Sequence, residues 1–243
     1  MEINAQQIIQ QLSAVYANCQ SYEDQGYVET TIDAGTAHER RERVSFRTAF
    51  QRPMYYRLEW KRFDPYTGQS KPEETEVIWC DGAKAYARSR FELDFHECES
   101  LDHAIASATG VAAHTVSSLL MPNILSFKFL RHGNLSSAPD EIVFNEKCCH
   151  LCATTDEQRT DILVSKNGFV LRRIREERIL KGAANFSLPP LPPGISDLER
   201  QEMIAVLNEA AEDLHEVSDC SYTNVRFDNQ LPQMIFHQGQ VAW

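Results

Sequence analysis

Val44-Ser45-Phe46-Arg47-Thr48-Ala49-Phe50, then Gln51-Arg52-Pro53-Met54, then Tyr55-Tyr56-Arg57-Leu58-Glu59-Trp60: these seventeen positions settle the architecture. Val44, Phe46, Thr48 and Phe50 alternate with Arg43, Ser45, Arg47 and Ala49. Tyr56, Leu58 and Trp60 alternate with Tyr55, Arg57 and Glu59. A period of two puts each set on one face of a strand, so one face is aromatic and apolar and the other largely polar. Arg52-Pro53 interrupts the pattern, and a proline that cannot donate to a ladder marks a strand edge or bend. Two strands joined this closely pair antiparallel.

The same reading extends outward. Tyr27 to Ile32, Val77 with Trp79, and Tyr86 to Phe95 are further strand candidates, with Asp64-Pro65-Tyr66-Thr67-Gly68 and Asp81-Gly82 as hairpin turns. Ahead of them, Ile8, Ile9, Leu12, Val15, Tyr16 and Cys19 recur at helical spacing, and Asn4 with Gln7 can form a capping box. Behind them, 101–120 reads as one charge-poor helix ended by Pro122. Strands then resume around Ile142 to Phe144, Cys148 to Thr154, Asp161 to Ser165 and Phe169 to Arg178, with Lys166-Asn167-Gly168 as a turn. Leu188 to Gly194 is a proline-rich loop, and Ser196 with Glu199 opens an acidic helix reaching about Val217. Tyr222 to Phe227 and Met234 to His237 read as closing strands. The expectation is one α+β domain over 1–243, with a helical insertion at 101–122 and the loop plus acidic helix at 186–218. Its large curved antiparallel sheet, a partly closed barrel, carries helices on the concave side.

The 243 residues carry a formal charge of −11. A nucleic-acid binder neutralises phosphates with an excess of cations, so nucleic-acid partners are excluded as a class. The longest uncharged run, 103–127, is too polar and interrupted to span a bilayer, so the chain is not integral to a membrane. Met1-Glu2-Ile3-Asn4-Ala5 lacks the basic and apolar regions of a secretory signal, which leaves a cytoplasmic protein or a chain trimmed of its leader. Seven cysteines at irregular spacing read mainly as buried thiols, with room for one or two disulfides.

Catalytic chemistry finds no pattern. There is no Gly-x-Ser-x-Gly elbow and no glycine-rich phosphate loop, and the carboxylates Glu73, Glu74, Asp94, Glu97 and Asp140 are scattered. No enzyme activity and no cofactor is expected. Cys148-Cys149-His150-Leu151-Cys152 is the most metal-like string. On a strand, Cys148 and Cys152 lie about 13 Å apart, so one ion cannot close on all three same-face ligands, and no zinc is expected.

The positive signal is the aromatic and apolar face itself. Phe46, Phe50, Tyr56, Leu58, Trp60, Trp79, Tyr86 and Phe91 are the candidates to line a concave face. A cavity for acyl chains is lined this way, and so is an ordinary core packed against helices.

Arg52-Pro53-Met54-Tyr55-Tyr56-Arg57-Leu58-Glu59-Trp60 resembles the Arg-Pro strand of periplasmic lipoprotein carriers of the LolA type. Val77-Ile78-Trp79-Cys80-Asp81-Gly82-Ala83-Lys84-Ala85-Tyr86 is similar to their Asp-Gly hairpin, and Tyr222 to Asn229 followed by Pro232 and Phe236 is similar to the closing strands of the wider superfamily. The resemblance implies an unclosed β-barrel with helices as a lid over an apolar cavity for lipid or lipoprotein acyl chains. It implies a periplasmic or envelope location, no cofactor, and a membrane ATPase complex and an outer-membrane acceptor as partners. It maps the residue that holds the lid closed onto Arg52. The alternative on the same scaffold is an envelope, interaction or sensor module with a filled core.

Overall fold

The structure, a computed structural model, describes residues 3–33, 36, 39–63, 75–88, 94–108, 111, 113–125, 135–155, 158–180 and 213–237. Phe91 and residues 186–212 of the loop-plus-helix segment lie outside the described residues.

Helix α1 is Ala5–Asn18. Its start follows from side chains: the Gln7 amide donates to Asn4 Oδ1 at 2.9 Å and the Asn4 amide donates to Gln7 Oε1 at 3.0 Å, satisfying two otherwise orphaned donors. Ile8, Leu12 and Tyr16, four residues apart, form its buried stripe. Six strands follow: β1 (Ser21–Ile32), β2 (Arg40–Gln51), β3 (Tyr55–Arg62), β4 (Glu76–Asp81), β5 (Ala85–Arg88) and β6 (His96–Cys98). Helices α2 (Leu101–Ser107) and α3 (Ala113–Leu120) come next. The last strands are β7 (Ser136–Val143), β8 (Glu146–Thr154), β9 (Gln158–Ser165), β10 (Leu171–Leu180) and β11 (Leu214–Phe227), before a 3₁₀ turn at Gln233–Phe236.

All eleven strands form one sheet in the order β6-β5-β4-β3-β2-β1-β11-β10-β9-β8-β7, every pair antiparallel. Strands β1 and β11 pair at its centre, so the beginning and end of the chain hold the middle together. Among the described residues no ladder joins β6 to β7, so the barrel is unclosed. One core unites the inner face with all three helices. The β2–β3 register sets Phe46 against Trp60 and Phe50 against Tyr56. Gly26 on β1 makes room for this packing: a Cβ there would stand 2.3 Å from the Phe46 ring and 2.4 Å from the Ser221 carbonyl oxygen. The Asp81-Gly82 turn forms as expected, with Gly82 at φ 93° and Asp81 Oδ1 accepting from the Ala83 and Lys84 amides.

Four expectations are corrected. The 101–120 helix is two helices, because Ala108 is extended and closes α2 ahead of Thr109-Gly110. Residues 214–217 are not helical: Leu214–Phe227 is continuous strand, held by β1 and β10 on either side. Local helical spacing there loses to a two-sided ladder. The stretch 234–237 is not a strand, because Gln233–Phe236 coils into a 3₁₀ turn that buries Ile235 and Phe236 with Ala49 and Tyr55 on the sheet's outer face. Of the strand expected over 86–95, β5 accounts for the part up to Arg88, residues 89–93 lie outside the described residues, and Asp94 and Phe95 are not in a strand.

Candidate functional site

Arg52 sits just past β2, at the turn into β3, with a cis peptide bond to Pro53. Its Nε donates to the Cys19 carbonyl at 2.9 Å. Its Nη2 donates to Ala17 at 2.5 Å, to Leu120 at 3.0 Å and, at longer range, to Tyr16 at 3.4 Å. These acceptors are the last carbonyls of α1 and α3, groups that have no partner inside their own helices. A guanidinium there also meets the negative ends of two helix dipoles. One side chain therefore ties the strand corner to the ends of both helices. A second tie is the buried 2.7 Å bond between the Tyr56 hydroxyl and Ser117 of α3.

The residues expected to line a cavity divide by strand parity. Phe46, Phe50, Tyr56, Leu58 and Trp60 meet on the inner face within the main core, each 0–4% exposed. Trp79 and Tyr86 do not join them. The register sets Trp79 opposite Arg57 and Tyr86, so both rings point to the outer face, where they stack at 4.9 Å. The inner-face residues of β4 are Ile78 and Cys80. All four of Val77, Ile78, Trp79 and Cys80 are buried, so alternation in the sequence could not distinguish the faces.

The inner-face core also holds a buried carboxylate. Asp24 on β1 accepts from the Tyr22 hydroxyl at 2.6 Å and from the Thr48 amide at 3.0 Å. Burial pushes its carboxyl up to about 6, against the opposing pull of those hydrogen bonds.

On β8, Cys148, His150 and Cys152 share a face by alternation. The imidazole is already engaged: Nε2 lies 2.8 Å from Asp161 and Nδ1 lies 3.2 Å from Glu141. Cys148 is buried with Val143 and Leu163. Among the described residues no group of three His, Cys, Asp or Glu side chains is arranged to hold a metal. None of their helices is long and apolar enough to cross a membrane.

Open volume is also found at the β7–β9 end of the sheet. A groove of about 770 Å³ runs between the start of α1 and the β7–β9 end of the sheet. Ile8, Cys149 and Phe169 give it apolar walls, and Asp140 and Lys166 give it a charged end. Ile8 belongs to the main core and Cys149 and Phe169 pack against it, so the groove continues the inner face. None of its residues was singled out in the sequence as a lining residue. The available signals were the Ile8 helical face and the parity of Cys149, but their meeting depends on contacts over more than a hundred residues.

No family model matches the sequence, and no curated protein matches it. Solved structures do resemble the fold. A LolA superfamily protein from Nitrosomonas europaea is 12% identical with a TM-score of 0.34, covering 98% of this chain and 99% of that one. A putative outer membrane lipoprotein-sorting protein domain from Vibrio parahaemolyticus is 8% identical with a TM-score of 0.36, covering 95% of each chain. The MucA/MucB complex from Pseudomonas aeruginosa matches at 8% identity and a TM-score of 0.43, covering 96% of this chain and 60% of that one. Likeness at this level says nothing about what this chain binds.

Proposed function

We propose that the protein is a non-catalytic binding or carrier protein for lipid or acylated ligands, which it admits between the inner face of the sheet and the helices. The observation that carries this reading is the Arg52 clamp. Packing alone does not require a cation at that corner, yet Arg52 bonds the free carbonyls of two separate helices at once. Each charge-assisted bond is worth roughly 1.5–3 kcal/mol, so breaking one shifts an open–closed equilibrium about tenfold or more. On this reading α1 and α3 form a lid in its closed position. The ligand is lipid or an acylated lipoprotein, the place of action is the periplasm or cell envelope, and a membrane ATPase complex and an outer-membrane acceptor are the partners in delivery.

Arg52→Leu tests it. The variant is expected to stay folded and to change the retention and release of a fluorescent fatty-acid probe. Equal binding and release by variant and parent would remove the lid role.

A second reading has its own support. The inner face around Phe50 and Tyr56 is filled, which suits an interaction or sensor module that uses the scaffold without a cargo. Native mass spectrometry after gentle purification separates the two: co-purified lipid favours the carrier, and a clean apo mass favours the module.

A further inference from the structure

We propose that the polar centre of the inner face, Asp24 with the Tyr222 hydroxyl, is the head-group subsite of the ligand, and that it selects an acyl chain with an uncharged, hydroxyl-bearing head over one with a carboxylate or phosphate. This rests on the binding-protein reading and gives it a specificity. Two features set the point apart from ordinary core. Asp24 is 3% exposed, and its partners are the Tyr22 hydroxyl and the Thr48 amide; neither is a cation. A buried carboxylate is ordinarily paired with one. Among the described residues, the Tyr222 hydroxyl is the buried side-chain polar atom left without a hydrogen bond, and such a group is destabilising. Its polar neighbour is the Cys220 thiol, a weak partner.

The backbone brings the two groups to one place. Tyr22, Asp24 and Gly26 share the buried face of β1. Gly26 stands opposite Tyr222 on β11 and opposite Phe46 on β2, and the Tyr222 and Phe46 rings meet edge to face at 5.6 Å. A β-bulge in the β1–β11 ladder falls at Asp24, between Glu23 and Gln25, and bulges re-aim side chains. Tyr16, Tyr22, Tyr56 and Tyr222, from α1, β1, β3 and β11, hold their protons through burial and, further, through the Asp24 charge. Their hydroxyls are therefore donors at neutral pH. Tyr16 of α1 covers the point, its ring 5.3 Å from that of Tyr22, so withdrawal of α1 as a lid would uncover it. The pair then chooses the head. Two of the roughly four acceptor sites of the carboxylate are taken, and the Tyr222 hydroxyl has its proton to donate. A ligand hydroxyl answers both at once, donating to Asp24 and accepting from Tyr222. An ammonium can answer only the first, and an anionic head is repelled by the carboxylate.

The test is a binding series on the full chain by isothermal calorimetry at pH 7.5. Its ligands are monolauroylglycerol, laurate and dodecylamine, each below its micelle concentration. The parent is expected to bind monolauroylglycerol about tenfold or more tighter than laurate, the size of one charge-assisted contact. Asp24→Asn keeps the shape and removes the charge, and should bring laurate to within about threefold of monolauroylglycerol. Tyr222→Phe should weaken monolauroylglycerol about fivefold without loss of stability in urea unfolding, because it removes a hydroxyl that the unliganded fold leaves unpaired. A purely structural tyrosine would move stability and leave the ratio of the two affinities as it was. Tyr222→Phe decides the matter by itself if Asp24→Asn does not fold. If laurate binds the parent as tightly as monolauroylglycerol, or if neither variant changes their ratio, the head lies elsewhere: this inference fails and the carrier reading stands. If dodecylamine binds tightest and Tyr222→Phe has no effect, the carboxylate takes a cation and the hydroxyl assignment is overturned. If none of the three binds the parent, both readings fail.

Discussion

The two halves of the sheet's inner face are built differently. Across β2–β4 it carries Phe46, Phe50, Tyr56, Leu58, Trp60 and Ile78, all buried in the core. Helix α2 packs against β4, β5 and β6, and α3 bridges α2 to α1. At the β7–β9 end Leu151, Ile162 and Val164 are buried in the same core, but toward the sheet edge Ser137, Asp140 and Cys149 line a groove that, among the described helices, the start of α1 borders. The first half is closed by its own side chains and the second keeps a groove. Large aromatic residues on facing positions fill the space between sheet and helix at close-packed density, whereas small and charged ones leave it unfilled. In an unclosed barrel, then, the side of the sheet that reads as the greasier in sequence need not be the side that is open.

Substitutions test this contrast from both sides. The largest effect is expected for Phe50→Ala, which empties a fully buried ring position between β2 and β3 and should cost about 3–5 kcal/mol in urea unfolding. A loss below about 1 kcal/mol would mean that the ring is not close-packed and that this half, too, holds open space.

Gly26→Ala comes next. The added methyl meets the Phe46 ring and the Ser221 backbone, and only the ring can move aside. A cost of about 3 kcal/mol is expected, the upper part of the usual range for overpacking. Phe46→Leu in the same background should recover part of it, because it removes one of the two clashes.

Asp24 gives the packed half a pH signature. Its carboxyl titrates at about 6 when folded, against 3.8 for an aspartate free in water. A folded pKa raised in this way means that the stabilising contribution is complete below the unfolded value and is lost as pH rises through about 6. Between pH 4 and pH 7 the parent should therefore lose stability relative to Asp24→Asn, by about 3 kcal/mol at most. Unfolding free energies of the two proteins across that range check it. A difference that stays flat, or that favours the parent as pH rises, would show that Asp24 is not desolvated in the folded state.

The smallest effect belongs to the open end. Ile142 is 77% exposed on edge strand β7, and Ile142→Ser should change stability by no more than about 0.5 kcal/mol. A cost near that of Phe50→Ala would mean that something covers this end, and the contrast between the halves would collapse.

Local chemistry was enough to read the elements that it controls. The capping of α1 by Asn4 and Gln7, the alternation through β2 and β3 and the Asp81-Gly82 turn all depend on residues within a few positions of one another. The antiparallel α+β class with a large curved sheet followed from them. Features that depend on distant partners were decided only by the folded chain. Leu214–Phe227 became strand because β1 and β10 offered it two ladders. Trp79 and Tyr86 went to the outer face because a fully buried strand has no polar side to mark its parity. The groove arose where Ile8, Cys149 and Phe169, far apart in sequence, came together. Periodicity shows which residues avoid water, but only the register across strands shows which of them meet and where space is left between them.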